Sequence, residues 1–223
     1  PVARLNPDDH LIPENSVYTD ISIRTQDPFS DLAKEYERNV VGVLIDAFNP
    51  SVVARVVVYP SFEPEYAVAM TFSDGRYSIL HLEPSVQLYH FEVLKWLGSG
   101  ADPRDPDGKK YLQMLDDLGV ELPANRGDVE VDRCERQIPS ALGSDLYVLW
   151  SEMLFRTRYP DYRPASPDDK PVWVNIGIDG TMYHFSYEYP GVTLAGAVHS
   201  PREGSDTGKF VAIAELMKDA CHA

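Results

Sequence analysis

Apolar and polar positions alternate most regularly around two Asp-Gly dipeptides, and this pattern predicts β-hairpins. Asp74-Gly75 separates Tyr66–Phe72 from Arg76–Glu83. An Asp-Gly pair tolerates the positive φ angles that a two-residue hairpin loop requires. The loop sets a register in which these residues face each other: Phe72 and Tyr77, Met70 and Ile79, Val68 and His81. Both faces of the hairpin are largely apolar, which predicts a central pair of strands covered on both sides.

The second hairpin is predicted over Val172–Glu188, turned at Asp179-Gly180. Its register places four nearly apolar pairs on one face: Ile178 with Thr181, Ile176 with Tyr183, Val174 with Phe185, Val172 with Tyr187. Such a face is typical of a buried sheet surface. The opposite face carries Gly177 with Met182, Asn175 with His184, and Trp173 with Ser186.

Elsewhere the chain alternates between helical spacing and short runs rich in β-branched residues. The first helix follows Asp27-Pro28, with apolar residues every fourth position: Leu32, Tyr36, Val40, Leu44, Phe48. Further helices are predicted at Ser85–Leu97, Tyr111–Leu118, Pro139–Tyr159 and Lys209–Cys221, and further strands at Ser16–Arg24, Val52–Tyr59 and Val192–Val198. We expect an exposed loop over 98–110 and a polar connection over 123–132.

These elements predict an α+β fold in which an antiparallel sheet, built from two Asp-Gly hairpins, packs against helices. Residues 1–16 are rich in Pro and Asp and predict an extended N-terminal arm. We expect a single α+β domain over 17–223. An alternative is a two-half pseudo-repeat, 17–120 and 134–223, because each half has a long helix followed by an Asp-Gly hairpin.

Charge narrows the classes of partner. Asp and Glu number 35 against 20 Lys and Arg, a formal net charge of −15. Nucleic acid and anionic membrane surfaces both need a basic footprint, so neither is expected as a partner. A cationic protein would be attracted, although acidity that only maintains solubility remains an open alternative. No apolar run approaches the ~20 residues of a membrane span.

The two cysteines, Cys134 and Cys221, lie in no CxxC motif and near no His at metal-ligand spacing. They form either one disulfide in an oxidising compartment or two unrelated thiols in a cytosol. The chain starts at Pro1 without an initiator Met, from which we expect a removed signal peptide or lipoprotein leader. We therefore favour the disulfide and a periplasmic or secreted protein, and a lipoprotein leader would imply a lipid tether.

Candidate catalytic and metal-binding patterns are weak. The chain has no Walker loop, GxGxxG fingerprint, GxSxG elbow or HExxH motif. His81 and Glu83 would share one face of a strand as two metal ligands, but His81 lies opposite Val68, which favours a core histidine. Asp102, Asp105 and Asp107 do not match the spacing of a calcium loop. We expect no cofactor, no metal and no catalytic residue.

Candidate binding residues lie on the second hairpin and on two acidic loops. Trp173, Asn175 and His184 would form an interface anchor of the kind that an exposed Trp provides. A second buried face, covered by the closing helix, is the alternative for these positions. Loops on a rigid scaffold often carry binding, which adds these residues: Asp102, Asp105, Asp107, Asp168, Asp169.

A resemblance points the same way. Three runs, LWSEMLFRTRYP (149–160), DGTMYHFS (179–186) and AGAVHSPREGSDTGKFVAIAELM (195–217), make residues 134–223 resemble bacterial envelope proteins that act as immunity partners of interbacterial toxins. The resemblance implies a non-enzymatic periplasmic protein that neutralises a cationic toxin or effector enzyme through acidic loops. The alternative is an envelope hydrolase or carbohydrate-binding protein using the Trp173/His184 face.

Overall fold

The fold is a six-stranded antiparallel sheet with helices on both faces. The structure, a computed structural model, describes residue 11 and residues 28–100, 106–157, 180–189 and 191–223, without the side chains of 28–33, 95–100 and 106–108. The strands are β1 (Val52–Pro60), β2 (Tyr66–Ser73), β3 (Arg76–Pro84), β4 (Val131–Ile138), β5 (Thr181–Tyr189) and β6 (Val192–His199), in the order β4-β3-β2-β1-β5-β6. The helices are α1 (Pro28–Val43), α2 (Tyr89–Gly100), α3 (Pro106–Asp117), α4 (Ser140–Phe155) and α5 (Asp206–His222). The predicted α+β class is confirmed.

The β2–β3 hairpin has the register that the sequence predicts. Phe72 pairs with Tyr77, Met70 with Ile79 and Val68 with His81. Asp74 and Gly75 have φ angles of 52° and 75°, the left-handed region that a two-residue hairpin loop needs at both positions. Both strands lie inside the sheet, between β4 and β1, so this hairpin is confirmed as central.

The predicted pairing of the second hairpin is wrong. Residues 172–179 lie outside the described residues, but β5 already has a partner on each edge. Tyr183 pairs with Val58 of β1 and with Val198 of β6. The hairpin loop that β5 does form lies after its last residue and connects it to β6, where Tyr189 pairs with Val192. Gly191 has a φ of 83° there, so the positive-φ residue that closes this hairpin comes after β5 rather than before it.

One face of the sheet packs against α4 and α5. Its centre is an aromatic cluster from three elements: Trp150 of α4, Phe185 of β5 and Phe210 of α5, with ring centroids 4.2 to 5.8 Å apart. All three side chains are buried. Aromatic pairs at these separations add to the free energy of burial, so this cluster holds both helices on the sheet.

The other face packs against α1, α2 and a 3-10 helix, Ile45–Phe48. Val40 of α1 and Leu44, which directly follows α1, are buried in this layer, with Tyr36 and Phe48 packed beside them, as the four-residue spacing predicts. Val57, Ala67 and Leu80 supply the sheet side of this layer. The sheet is therefore buried on both faces, and its two apolar clusters are separated by the plane of the strands.

Two elements differ from the sequence prediction. Helix α3 begins at Pro106, so the predicted exposed loop over 98–110 is wrong at both of its described ends. Strand β4 occupies Val131–Ile138, where no strand was predicted. Four of its first six residues are charged, and charged residues are acceptable on an edge strand, where they discourage pairing with other chains.

The predicted disulfide is confirmed. Cys134 on β4 and Cys221 near the end of α5 are bonded, with Sγ atoms 2.04 Å and Cα atoms 5.9 Å apart. The bond closes a separation of 87 residues. It fixes the C-terminal helix to one edge of the sheet.

The N-terminal arm over 1–16, the strand over 16–24 and the division into two halves stay predictions. The first two lie outside the described residues except for Leu11, which is fully buried in the α4/α5 cluster. A Cβ on Gly196 of β6 would lie 2.8 Å from the Leu11 Cβ. Leu11 therefore packs directly on the sheet.

Candidate functional site

An open cleft of about 510 Å³ lies where the end of β3 and the start of β4 meet the last turns of α5. We call it the β3–α5 cleft. Its polar lining consists of His81, Glu83, Ser85, Glu130, Asp132, Lys218 and His222, with Pro64, Pro84 and Val131 completing the wall. The Cys134–Cys221 disulfide borders it, because His81 pairs across the sheet with Cys134 and His222 follows Cys221.

Two imidazoles meet at the base of the cleft. His81 Nδ1 lies 2.9 Å from His222 Nε2, and the ring planes are 79° apart. His81 is 1% exposed, whereas His222 is exposed. The other His81 nitrogen, Nε2, lies 3.3 Å from Glu83 Oε2, within ion-pair distance but without the geometry of a hydrogen bond. Glu83, His81 and His222 thus form a continuous polar chain from the sheet to the surface.

A second set of contacts holds Glu83 in place. Lys218 Nζ lies 2.9 Å from Glu83 Oε2 and 3.9 Å from the centre of the Tyr66 ring. The Tyr66 hydroxyl donates a hydrogen bond to Glu215. An ammonium over an aromatic face and beside a carboxylate is stabilised by both. Lys218 therefore neutralises Glu83 and braces the wall of the cleft.

The surroundings keep His81 neutral. Burial lowers the pKa of His81 to about 4, and the nearby Lys218 adds to this effect. Glu83 and Asp132 act in the opposite direction but do not reverse it. Burial, together with the hydrogen bond to Glu215, raises the pKa of Tyr66. At neutral pH the site therefore presents a neutral His81 imidazole and a protonated Tyr66 phenol.

This arrangement can accept a proton or donate an imidazole lone pair, but it lacks a built nucleophile. In the described part of the chain, neither imidazole hydrogen-bonds a Ser, Thr or Cys side chain. No group of three or more His, Cys, Asp or Glu side chains among the described residues is arranged around one metal position. The site is therefore a polar cleft whose distinctive feature is the direct contact between the His81 and His222 imidazoles.

Two other buried carboxylates have structural roles. Glu65 accepts hydrogen bonds from the backbone N–H groups of Leu88 and Tyr89, 2.7 and 3.1 Å away, and from the Tyr36 hydroxyl. It therefore caps the start of α2 and ties it to α1. Burial raises the pKa of Glu65. Glu92 accepts a hydrogen bond from Asn39 of α1 and lies 3.1 Å from Arg126 Nη1, so it joins the same helices.

Exposed carboxylates concentrate between α3 and β4. We call residues 116–132 the acidic segment, and its exposed acidic side chains are Asp116, Asp117, Glu121, Asp128, Glu130 and Asp132. Its single basic residue, Arg126, pairs with the buried Glu92. Among the described residues, no Lys or Arg forms an ion pair with Glu121, Glu130 or Asp132. Glu130 and Asp132 also line the β3–α5 cleft, so this charge faces the cleft mouth.

The predicted binding residues are mostly outside the described residues: Asp102, Asp105, Asp168, Asp169, Trp173 and Asn175. Asp107 lies in the first turn of α3. His184 is 6% exposed and packs 5.0 Å from the Tyr59 ring, so the alternative of a second buried face describes it better than an exposed anchor. That face is the α1 side of the sheet, because His184 pairs with Val57. Helix α5 lies on the other side.

Three residues of α5 were not predicted from the sequence: His222 and Lys218, which line the cleft, and Glu215, which accepts a hydrogen bond from Tyr66. His81 and Glu83 were recognised as neighbours on one strand face, which the structure confirms. Their partners lie more than 130 residues later. A usable signal was the position of His222 directly after Cys221. If the disulfide forms, it places this imidazole next to β4 and β3.

Together, the fold and the site define a three-layer α+β protein with a disulfide-braced polar cleft and an acidic surface beside it. Comparisons with protein-family models, with curated proteins and with solved structures each give no match. No helix in the described part of the chain combines the length and apolar character needed to cross a membrane.

Proposed function

We propose that the protein is a non-enzymatic binding protein that neutralises a cationic toxin or effector enzyme, as an immunity protein does. The observation that carries the proposal is the group of exposed carboxylates of the acidic segment that have no basic partner in the described part of the chain. Glu121, Glu130 and Asp132 belong to this group. The net charge of −15 supports the same proposal.

Unpaired surface carboxylates favour a positively charged partner for two reasons. Their field extends beyond the surface and accelerates the approach of a cation, and no internal Lys or Arg has to be displaced when the partner binds. Elsewhere on the described surface several basic residues are already paired, as Arg133 is with Asp46 and Glu135. Among the described residues, the acidic segment thus gathers several exposed carboxylates without basic partners in one stretch of chain, where an external cation can bind.

The disulfide bears on the compartment. Disulfides form and persist in secreted and periplasmic proteins, whereas thiols in a cytosol are generally kept reduced. The Cys134–Cys221 bond therefore supports a periplasmic or secreted location. That is also where an immunity protein meets a toxin that attacks the cell envelope.

The test is a charge reversal with a matched control. The probes are the basic secreted proteins encoded by genes adjacent to that of this protein, each titrated calorimetrically at 50 and 300 mM NaCl. The triple variant Glu121→Lys, Glu130→Lys, Asp132→Lys is compared with Asp145→Lys, Glu152→Lys, Glu203→Lys, which changes the same number of exposed carboxylates elsewhere. We expect the first variant to weaken binding at least 100-fold and the second less than fivefold.

Two results would contradict the proposal. If both triple variants weaken binding equally, only total charge matters and the acidic segment is not the interface. If none of the neighbouring basic proteins binds the wild type at 50 mM NaCl, the proposed class of partner is wrong. A dissociation constant that rises steeply between 50 and 300 mM NaCl is expected for a charge-dominated interface.

An envelope hydrolase is the second candidate, and the β3–α5 cleft favours it. A buried His with a strongly lowered pKa in an open cleft is a recognised mark of functional sites. This candidate predicts hydrolysis of a glycan or peptide substrate by the wild type and its loss in His81→Gln, with folding intact. The binding proposal predicts that His81→Gln retains its affinity for the basic partner.

A further inference from the structure

We propose that His81 and His222 form a two-nitrogen site for a divalent transition-metal ion of the Cu²⁺ or Ni²⁺ type. This inference goes beyond the proposed function, because it depends on no protein partner. It rests on the separation of the two nitrogens, on the carboxylate behind His81, on access from solvent and on the disulfide that fixes both residues.

The separation of the two nitrogens fits neighbouring positions on one ion. His81 Nδ1 and His222 Nε2 are 2.9 Å apart. Imidazole nitrogens bind these metals at about 2.0 to 2.1 Å, so two of them at a right angle lie about 2.9 Å apart. Right-angle positions occur in the square-planar and octahedral geometries that Cu²⁺ and Ni²⁺ prefer. In that arrangement each nitrogen–metal direction lies about 45° from the line joining the two nitrogens, so the imidazoles must turn out of their hydrogen-bonded orientation to share an ion.

The carboxylate of Glu83 selects the useful tautomer of His81. Its Oε2 lies 3.3 Å from His81 Nε2, so a proton on Nε2 is favoured and the Nδ1 lone pair points toward His222. The contact lacks hydrogen-bond geometry in the metal-free protein. A turn of the ring that aims Nε2–H at Glu83 would produce the outer-shell hydrogen bond that usually orients a ligating imidazole. In the metal-free protein His222 Nε2–H donates to this lone pair. On metal binding this proton leaves Nε2 for the exposed Nδ1 of the same ring, which frees the Nε2 lone pair for the ion.

The site is open on one side and fixed on the other. His222 is exposed and the cleft of about 510 Å³ leads to it, so a hydrated ion can enter. The Cys134–Cys221 bond holds β3, β4 and the end of α5 together, which limits the entropy lost when an ion is bound. The cleft also carries Glu83, Glu130 and Asp132 against one ammonium, that of Lys218, a net negative environment for a cation.

The protein supplies two nitrogens, and water or a rotated Glu130 or Asp132 side chain would complete the coordination. With only two fixed ligands, we expect a dissociation constant in the micromolar range. Zn²⁺, which prefers a tetrahedron with nitrogens farther apart, should bind more weakly than Cu²⁺. The competing explanation is that the two imidazoles simply share a hydrogen bond, and the experiment separates the two.

The experiment uses the whole chain, dialysed against EDTA and then against metal-free buffer at pH 7.5. Calorimetric titration with NiCl₂ measures stoichiometry and affinity, and electron paramagnetic resonance with one equivalent of Cu²⁺ counts the bound nitrogens. We expect one ion per chain and a spectrum with two nitrogen couplings. His222→Gln, an exposed position that should not disturb folding, is expected to weaken binding at least tenfold.

His199→Gln is the matched control, since His199 is also exposed but lies at the end of β6, away from the cleft lining. It should leave the affinity and the nitrogen couplings unchanged. The proposal is overturned if His222→Gln binds Ni²⁺ as tightly as the wild type, if His199→Gln weakens binding equally, or if wild-type protein shows no saturable binding up to 1 mM. Asp132→Asn reports the third ligand, and a loss of several-fold identifies that carboxylate.

Discussion

At the scale of single residues, the burial of His81 makes stability depend on pH. The pKa of His81 is about 4 in the fold against a reference value of 6.5. Between these values the unfolded chain binds more protons, so stability rises with pH. The contribution of His81 is complete above pH 6.5 and is lost as pH falls toward 4. We expect the wild type to lose on the order of 2 kcal/mol more than His81→Gln between pH 7 and 4.5.

Urea unfolding of both proteins at the two pH values measures this difference. The wild type must be compared with His81→Gln, because Glu65 also makes stability depend on pH. Its raised pKa makes its contribution to stability fall as pH rises, the opposite of His81. That contribution is common to both proteins and cancels. Equal losses in the two proteins would show that His81 is not held neutral by the fold.

Two helical glycines should respond in opposite ways to the same substitution. Gly143 of α4 is buried, and a Cβ there would lie 2.3 Å from Cγ of Tyr77. Nothing lies within 4 Å of a Cβ on Gly42 of α1. We expect Gly143→Ala to destabilise by about 1–3 kcal/mol through overpacking, and Gly42→Ala to stabilise by about 0.5–1 kcal/mol through helix propensity. Thermal unfolding measures both, and a stabilised Gly143→Ala would contradict the close approach.

At the scale of elements, local signals explain what the sequence predicted. The β2–β3 hairpin depends on Asp74-Gly75, a turn whose two residues fix the register without help from distant contacts. The β5 register failed because β5 is flanked by two glycine-containing dipeptides, Asp179-Gly180 and Pro190-Gly191. Alternation within a strand does not show which of its two ends leads into the hairpin loop. It does show which side chains share a face of the sheet, so Phe185 and Tyr187 were correctly predicted to be buried although the partner strand was wrong.

Strand β4 was missed because its sequence lacks the alternation of a half-buried strand. Asp132, Arg133, Glu135 and Arg136 are all exposed, and such residues have low β propensity. The strand forms because β3 offers a partner and the disulfide secures Cys134. Propensity was overridden here by tertiary contacts, which no short window of sequence contains.

The disulfide joins β4 to α5 and should stabilise the fold by lowering the conformational entropy of the unfolded chain. In the chain-entropy account, a loop closed over 87 residues contributes about 4–5 kcal/mol. We expect reduction by dithiothreitol to lower the free energy of unfolding by that amount, measured by urea denaturation. Cys134→Ser, Cys221→Ser should show the lowered stability with and without reductant. If reductant changes neither protein, the covalent bond is not what secures α5.

At the scale of the whole molecule, the fold class was accessible from the sequence but the cleft was not. His81 and Glu83 were visible as a strand pair, whereas Lys218 and His222 come from the opposite end of the chain. Only the docking of α5 on β3 brings them together. The excess of Asp and Glu over Lys and Arg was evident from the composition. The structure adds that the single basic residue of the acidic segment, Arg126, pairs with the buried Glu92 and so does not neutralise the exposed carboxylates around it.

The net charge of −15 predicts that salt stabilises the folded molecule. Compaction brings like charges together, and the mutual repulsion of exposed carboxylates falls when ions screen it. We expect the free energy of unfolding to rise by roughly 1 kcal/mol between 20 and 300 mM NaCl, the size of a few screened surface interactions. The variant Glu121→Gln, Glu130→Gln, Asp132→Asn removes three of the unpaired charges and should gain less from salt. A stability that falls with salt in the wild type would instead mean that attractive ion pairs, such as that of Lys218 with Glu83, outweigh the repulsion of the acidic surface.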